Sequence, residues 1–181
     1  MFIRSERLFL RPGWPEDWEE LLAVIADEGV VRNLAMAPWP YTGDDARAFA
    51  AQVQDSRLPH FLVTLPGASG ARLVGCVGLA PGDGPEPELG YWIAREHWGK
   101  GYATEAARAA MTVARTLGHR GLGAAQFLDN PASGRVLAKL GFRPVGAVER
   151  WCRSRNARVP AQAWRRELVP ACGDEDCMRA A

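Results

Sequence analysis

A chain of 181 residues with 22 Lys and Arg against 21 Asp and Glu is long enough for one sizeable hydrophobic core, and its balanced charge implies no nucleic-acid partner. No run approaches the roughly 18 apolar residues of a membrane span, and the opening MFIRSERLFL lacks an apolar signal core and a small-residue cleavage site, so a cytoplasmic protein with no membrane partner is expected. Cys76, Cys152, Cys172 and Cys177 form no Cys-x-x-Cys pair and have no histidines at ligand spacing, so no metal is expected and the thiols should be reduced.

In chain order, residues 4–11 alternate around Leu8 and Leu10 and predict an opening strand. Pro15, Glu16 and Asp17 start a helix with Trp18, Leu21, Leu22 and Ile25 on one face. A loop rich in proline and aromatics spans 33–43, and a second helix is expected over 44–56. Residues 60–65 and 72–80 read as two strands around the turn PGASGA. A turn over 82–87 leads to a strand over 89–94, a bend carrying Gly99-Lys100-Gly101, and a helix from Tyr102 to Leu117. Gly118 caps that helix. A strand over 121–128, a helix over 131–140 ended by Gly141, and strands over 145–150 and 159–168 complete the pattern. One α/β domain over 1–169 is expected, with 170–181 a flexible tail.

The stretch from Leu89 to Leu117 organises the rest. Ala103, Ala106, Ala107, Ala110, Met111, Val113, Ala114 and Leu117 follow the 3.6-residue period, and alanine on the buried face lets a helix lie close to a sheet. At the helix start the first N–H groups have no intrahelical partner and the macrodipole adds about half a positive charge. With Gly99 and Gly101 offering no Cβ, this loop suits a phosphate or pyrophosphate. A tight turn without a ligand accounts for the same glycines. A Walker loop is excluded because Ala94 stands at its first glycine position and Gly101 follows Lys100; a dinucleotide fingerprint is disfavoured by Thr104 at its third small position.

Two motifs together, GYWIAREHWGKGYATEA and DNPASGRVLAKLGF, resemble the GNAT superfamily of acetyl-CoA-dependent N-acetyltransferases, and within it most of all the RimJ/RimL-like branch. The resemblance implies a mixed, mostly antiparallel sheet of six to seven strands flanked by about four helices, with a splay between the fourth and fifth strands. It further implies that the pantetheine arm of acetyl-CoA pairs with strand backbone at Tyr91, Trp92 and Ile93, and that the pyrophosphate lies on Gly99, Lys100, Gly101, Tyr102, Ala103 and Thr104. Asn130 resembles a residue bonding the pantetheine arm; as an N-cap for the helix at Pro131 it has a structural use as well.

Many relatives place a glutamate on the strand after the glycine-loop helix and a tyrosine on the last helix; this chain has Ala125 and Leu137 there. Ser133, in the Asn-x-x-Ser pattern of the resembled branch, is the expected proton donor to sulfur and a cofactor contact, or else a serine satisfying its own helix turn. Glu88 is the expected base, acting through water. His60, His97 and His119 are expected at the surface. The partner implied is an amine acceptor, either a protein N-terminus or a small molecule, bordered by the loops 35–43 and 149–158; a homodimer is the expected assembly. The loss of the usual acid–base pair leaves open a non-catalytic acyl-CoA-binding domain on the same scaffold. A structural interaction domain, the third reading, is opposed by the intact pair of motifs.

Overall fold

Alternation and helical periodicity become eight strands and five helices in a computed structural model that describes residues 1–68 and 70–168. The segment read as a flexible tail, and with it Cys172 and Cys177, lies outside the described residues. The strands are β1 (Ile3–Arg4), β2 (Phe9–Arg11), β3 (His60–Leu65), β4 (Arg72–Ala80), β5 (Glu88–Ile93), β6 (Gly121–Phe127), β7 (Arg143–Cys152) and β8 (Ala157–Glu167). The helices are α1 (Trp18–Ile25), α2 (Glu28–Val31), α3 (Gly43–Ala50), α4 (Tyr102–Thr116) and α5 (Pro131–Lys139), with 3-10 turns at Pro15–Asp17 and Arg95–His97. One sheet runs in the order β1-β2-β3-β4-β5-β6-β8-β7. Every pairing is antiparallel except β5 with β6.

The expected α/β class and mostly antiparallel sheet are what the chain forms, with one strand and one helix more than the expectation. The opening strand is two strands, because Ser5 turns the chain: its N–H donates to the Leu8 carbonyl at 3.0 Å and its hydroxyl oxygen accepts from the Leu8 N–H at 3.3 Å, and β1 folds back on β2. The alternation of Leu8 and Leu10 is the same in either arrangement. The unforeseen helix is α2, a single turn whose N–H of Val30 is capped by the Asp27 carboxylate, too short to show a period. α3 begins at a capping box between Thr42 and Asp45 but ends at Ala50. Beyond it Val53 is 95% exposed and Gln54 turns to bond His60, so no apolar face is left to bury.

The sheet carries a core on each face. Leu8, Leu10, Phe61, Val63, Val77 and Leu89 pack under α4 and α5, where Ala106, Ala107, Ala110 and Ala114 are essentially inaccessible. Leu62, Leu73 and Cys76 pack on the other face against Leu21, Ile25, Val30, Val31 and Ala46 of α1, α2 and α3. Burial pushes the Cys76 thiol up to about 12, so it behaves as a small apolar side chain.

Candidate active site

The parallel neighbours β5 and β6 touch at one register position, Glu88 opposite Gly123, and then diverge. This is the expected splay, counted one strand later because the opening strand is double. Ladder groups alternate sides along a strand. The Ala94 N–H donates to Val74 of β4, so Trp92 and Gly90 also face β4, whereas Tyr91 and Ile93 face the gap. Trp92 therefore departs from its expected role: its main chain is paired with Cys76 and is closed to a ligand. The Ile93 carbonyl accepts the Trp98 indole N–H at 2.6 Å, which leaves the Ile93 N–H and the main chain of Tyr91 facing the gap without a strand partner. Buried main-chain groups need such a partner.

Gap, glycine loop and α5 border a cavity of about 970 Å³. Its walls include Tyr91, Trp92, Ile93, Gly99, Gly101, Tyr102, Ala103, Thr104, Asn130 and Ser133; Lys100, the remaining loop residue of the sequence prediction, is not part of them. Gly99 and Gly101 have φ of 76° and 81°, a left-handed conformation that favours glycine. A Cβ at Gly99 would meet nothing within 4 Å, so the loop is an open cradle. No side chain caps the α4 N-terminus, and its first N–H groups face this cradle.

Three further side chains hold the loop. Arg7 donates to the Lys100 carbonyl at 3.0 Å and to Glu105 at 2.8 Å, and its guanidinium lies over the Tyr102 ring. Glu105 also accepts from the Arg7 N–H and the Ser5 hydroxyl, both at 2.7 Å. Burial alone would raise the Glu105 carboxyl, but these hydrogen bonds and the Arg7 charge outweigh it and hold the group below the ordinary range. His97 is 7% exposed, contrary to the expectation of a surface residue: its ring packs against Tyr102 and lies 3.4 Å from the Lys100 amine.

On α5, the Asn130 side chain accepts from the Ser133 N–H at 3.3 Å, the N-cap use anticipated for it, and its amide nitrogen makes no hydrogen bond among the described residues. Ser133 Oγ lies 3.0 Å from the Tyr91 phenol, which is also 3.1 Å from the Ser133 carbonyl. Leu137 is in the core and Ala125 lines the cavity, so neither supplies acid–base chemistry.

Side-chain alternation places Leu89 and Tyr91 on the α4–α5 face, while Trp92 packs on the α1–α3 face and Glu88 points to that second side. The cavity thus reaches through the sheet. On the second side Arg150 of β7 is paired with Glu88 Oε1 and, at 2.8 Å, with Asp83; two carboxylates around one guanidinium leave a formal charge of −1. Arg150 Nε is buried without a partner. Nearby, Asp129 is held below the usual carboxylate range by hydrogen bonds from Arg155, with Arg32 adding to the effect.

The chain is thus an α/β domain with an open strand edge beside a glycine loop that starts a helix. Residues 7–143 match the family model described as an acetyltransferase (GNAT) domain, and the chain belongs to the GNAT acetyltransferase family. It is 28% identical over 155 residues to the uncharacterized N-acetyltransferase YoaA of Bacillus subtilis, covering 82% of this chain and 86% of YoaA. A GNAT-family acetyltransferase from Bacillus anthracis superposes with a TM-score of 0.79 at 26% identity, covering 92% of this chain and 98% of the other. Mycobacterium smegmatis RimJ, solved with CoA-disulfide, shares the fold with a TM-score of 0.75 at 20% identity, over 89% of this chain and 82% of RimJ. Among the described residues no cluster of His, Cys, Asp and Glu is arranged to hold a metal, and no helix is long and apolar enough to cross a membrane.

The sequence reading missed Arg7 and the basic pair Arg135 and Lys139, which line the cavity from α5; Arg150 lay within the acceptor-bordering segment 149–158, without its partners. The i, i+4 spacing of that pair was visible; the long-range partners of Arg7 and Arg150 were not.

Proposed function

We propose that the chain moves the acetyl group of acetyl-CoA directly to a primary amine, a protein N-terminus or a small molecule, and that it lies in the RimJ/RimL-like branch. The observation that carries this reading is the gap between β5 and β6. It opens the sheet from the glycine cradle on one face to the Glu88–Arg150 pair on the other, so cofactor and acceptor meet from opposite sides. Bound acetyl-CoA supplies an activated carbonyl and a thiolate leaving group. Gly99, Gly101 and the first turn of α4 hold its pyrophosphate, Arg135 and Lys139 add positive charge along α5, and Tyr91 and Asn130 hold the pantetheine arm.

On the acceptor side the Glu88 carboxylate, beside Asp83, receives an ammonium group. Glu88 and Tyr91 are three residues apart, about 10 Å along a strand, so Glu88 takes up the amine proton through bridging water. The Ile93 N–H stabilises charge growing on the carbonyl oxygen, and Ser133 donates to sulfur.

Calorimetric titration with acetyl-CoA, followed by free-thiol release with alanine-initiated peptides, lysine, an aminoglycoside and small alkylamines, tests the reading. Binding with thiol release from one amine class supports it. Binding without release from any of them would move the reading to an acyl-CoA-binding domain, and absence of binding would remove the cofactor assignment.

A further inference from the structure

Tyr91 and Ser133 are 42 residues apart in sequence, yet their hydroxyls lie 3.0 Å from each other in the cavity wall. The phenol has one hydrogen and two acceptors within reach, Ser133 Oγ and the Ser133 carbonyl at 3.1 Å. If the hydrogen goes to the carbonyl, the serine proton turns towards Tyr91 and away from any ligand. If it goes to Oγ, the serine proton is free for the cavity. A sulfur atom gaining charge beside Ser133 accepts hydrogen bonds and donates none, so it selects the second arrangement. The Ser133 carbonyl already serves the helical N–H of Leu137, so little is lost by the switch.

Acidity points the same way. An aliphatic hydroxyl holds its proton about as tightly as water, whereas a thiol releases its own near 8.5 and a phenol near 10. Serine alone is a poor proton source for a thiolate; serine backed by a phenol is a better one. Burial pushes the Tyr91 phenol up to about 12, against the opposing effect of its Ser133 hydrogen bond. It is therefore fully protonated at working pH and still more acidic than an alcohol.

We propose that Tyr91 is a positioning residue that acts through Ser133, its phenol donating to Ser133 Oγ so that the two hydroxyls form a relay ending at the thioester sulfur. This rests on the reading of Ser133 as donor to sulfur. As the carbon–sulfur bond breaks and its electron pair stays on sulfur, the Oγ proton passes to sulfur and the phenol proton passes to Oγ. The phenolate then recovers a proton from solvent, to which Glu88 releases the one shed by the amine.

The test needs no acceptor. CoA is bound to wild type, Tyr91→Phe, Ser133→Ala and the double variant, and ionisation of its thiol is followed by thiolate absorbance against pH. Circular dichroism and CoA affinity serve as controls. Arg135 and Lys139 of α5, the neighbouring Asp129 and Arg32, and Glu88 and Arg150 across the gap are the same in all four proteins, so their fields cancel in the comparison. The relay lowers the wild-type thiol pKa by about one pH unit relative to each single variant, and the double variant matches the singles because both belong to one chain of bonds. A fluorinated tyrosine at position 91, which keeps the ring and has a more acidic phenol, lowers the thiol pKa further; a residue that only packs has no such graded effect. A thiol unaffected by both Tyr91→Phe and the fluorinated tyrosine, but raised by Ser133→Ala, overturns the relay and leaves Ser133 in place. A thiol unaffected by Ser133→Ala removes both. Failure of folded wild type to bind CoA overturns the cofactor assignment and the relay with it.

Discussion

Arg7 and Glu105, 98 residues apart, are joined by the Arg7 N–H at 2.7 Å and the Arg7 Nε at 2.8 Å, so the first β-hairpin is bolted to the first turn of the glycine-loop helix. Glu105 is 8% exposed, and both its oxygens accept hydrogen bonds while neither donates, an arrangement that suits only the ionised form. Its carboxyl is held below the ordinary value of 4.5. A carboxylate depressed on folding contributes stability that is fully present above the unfolded value and is lost as pH falls through the folded one. Glu105→Gln should therefore destabilise the protein by about 2–3 kcal/mol at neutral pH, the scale of lost hydrogen bonds to a charged group. The difference should shrink below pH 4.5, which thermal melts of both proteins across the acid range will show; parallel melts down to the lowest pH would refute it.

Ser133→Ala should lower turnover roughly ten- to a thousandfold, the range of general acid catalysis, with acetyl-CoA affinity little changed. The N-cap of α5 depends on the Asn130 side chain and the Ser133 N–H, not on the serine hydroxyl, so the helix should persist. Turnover equal to wild type with the working acceptor would take Ser133 out of the mechanism.

Glu88→Gln removes the charge that accepts from Arg150 and the proposed acceptor of the amine proton. The acidic limb of kcat/KM against pH should disappear, and KM for the amine should rise as the carboxylate charge facing it is lost. Retention of the acidic limb would limit Glu88 to orienting Arg150.

How much of this was legible follows from distance along the chain. The strand, glycine bend and helix from β5 to α4 are local, and periodicity, glycine and an uncapped first turn sufficed to read them. The same holds for Asn130 as N-cap before Pro131. Trp92 was misread because two neighbouring strand residues look alike until register assigns one main chain to β4 and the next to the gap. His97 was placed at the surface because its 3-10 turn has no period to reveal an inward ring. Arg7 with Glu105, Arg150 with Glu88, and Tyr91 with Ser133 become neighbours only after the sheet is assembled. The local glycine loop and helix start were therefore readable in outline, whereas the side chains that brace them were not.

Gly101 gives the most direct test of the cradle, because backbone physics and ligand approach make the same demand there. Its φ of 81° costs an L-residue roughly 1–2 kcal/mol, and a Cβ would lie 3.4 Å from the Arg7 guanidinium, on the surface where the pyrophosphate is to sit. Gly101→Val adds a branched side chain at that point and should reduce acetyl-CoA affinity at least tenfold, about 1.4 kcal/mol. The residue is exposed, so circular dichroism should be retained. Gly101→Ala carries the same backbone strain with a smaller intrusion and should lose less affinity. Dephospho-CoA, which keeps the pyrophosphate, should lose affinity on Gly101→Val as acetyl-CoA does. Pantetheine, which has none, should bind weakly and almost equally to both proteins. Wild-type acetyl-CoA affinity in folded Gly101→Val protein would mean that the pyrophosphate does not lie on this loop.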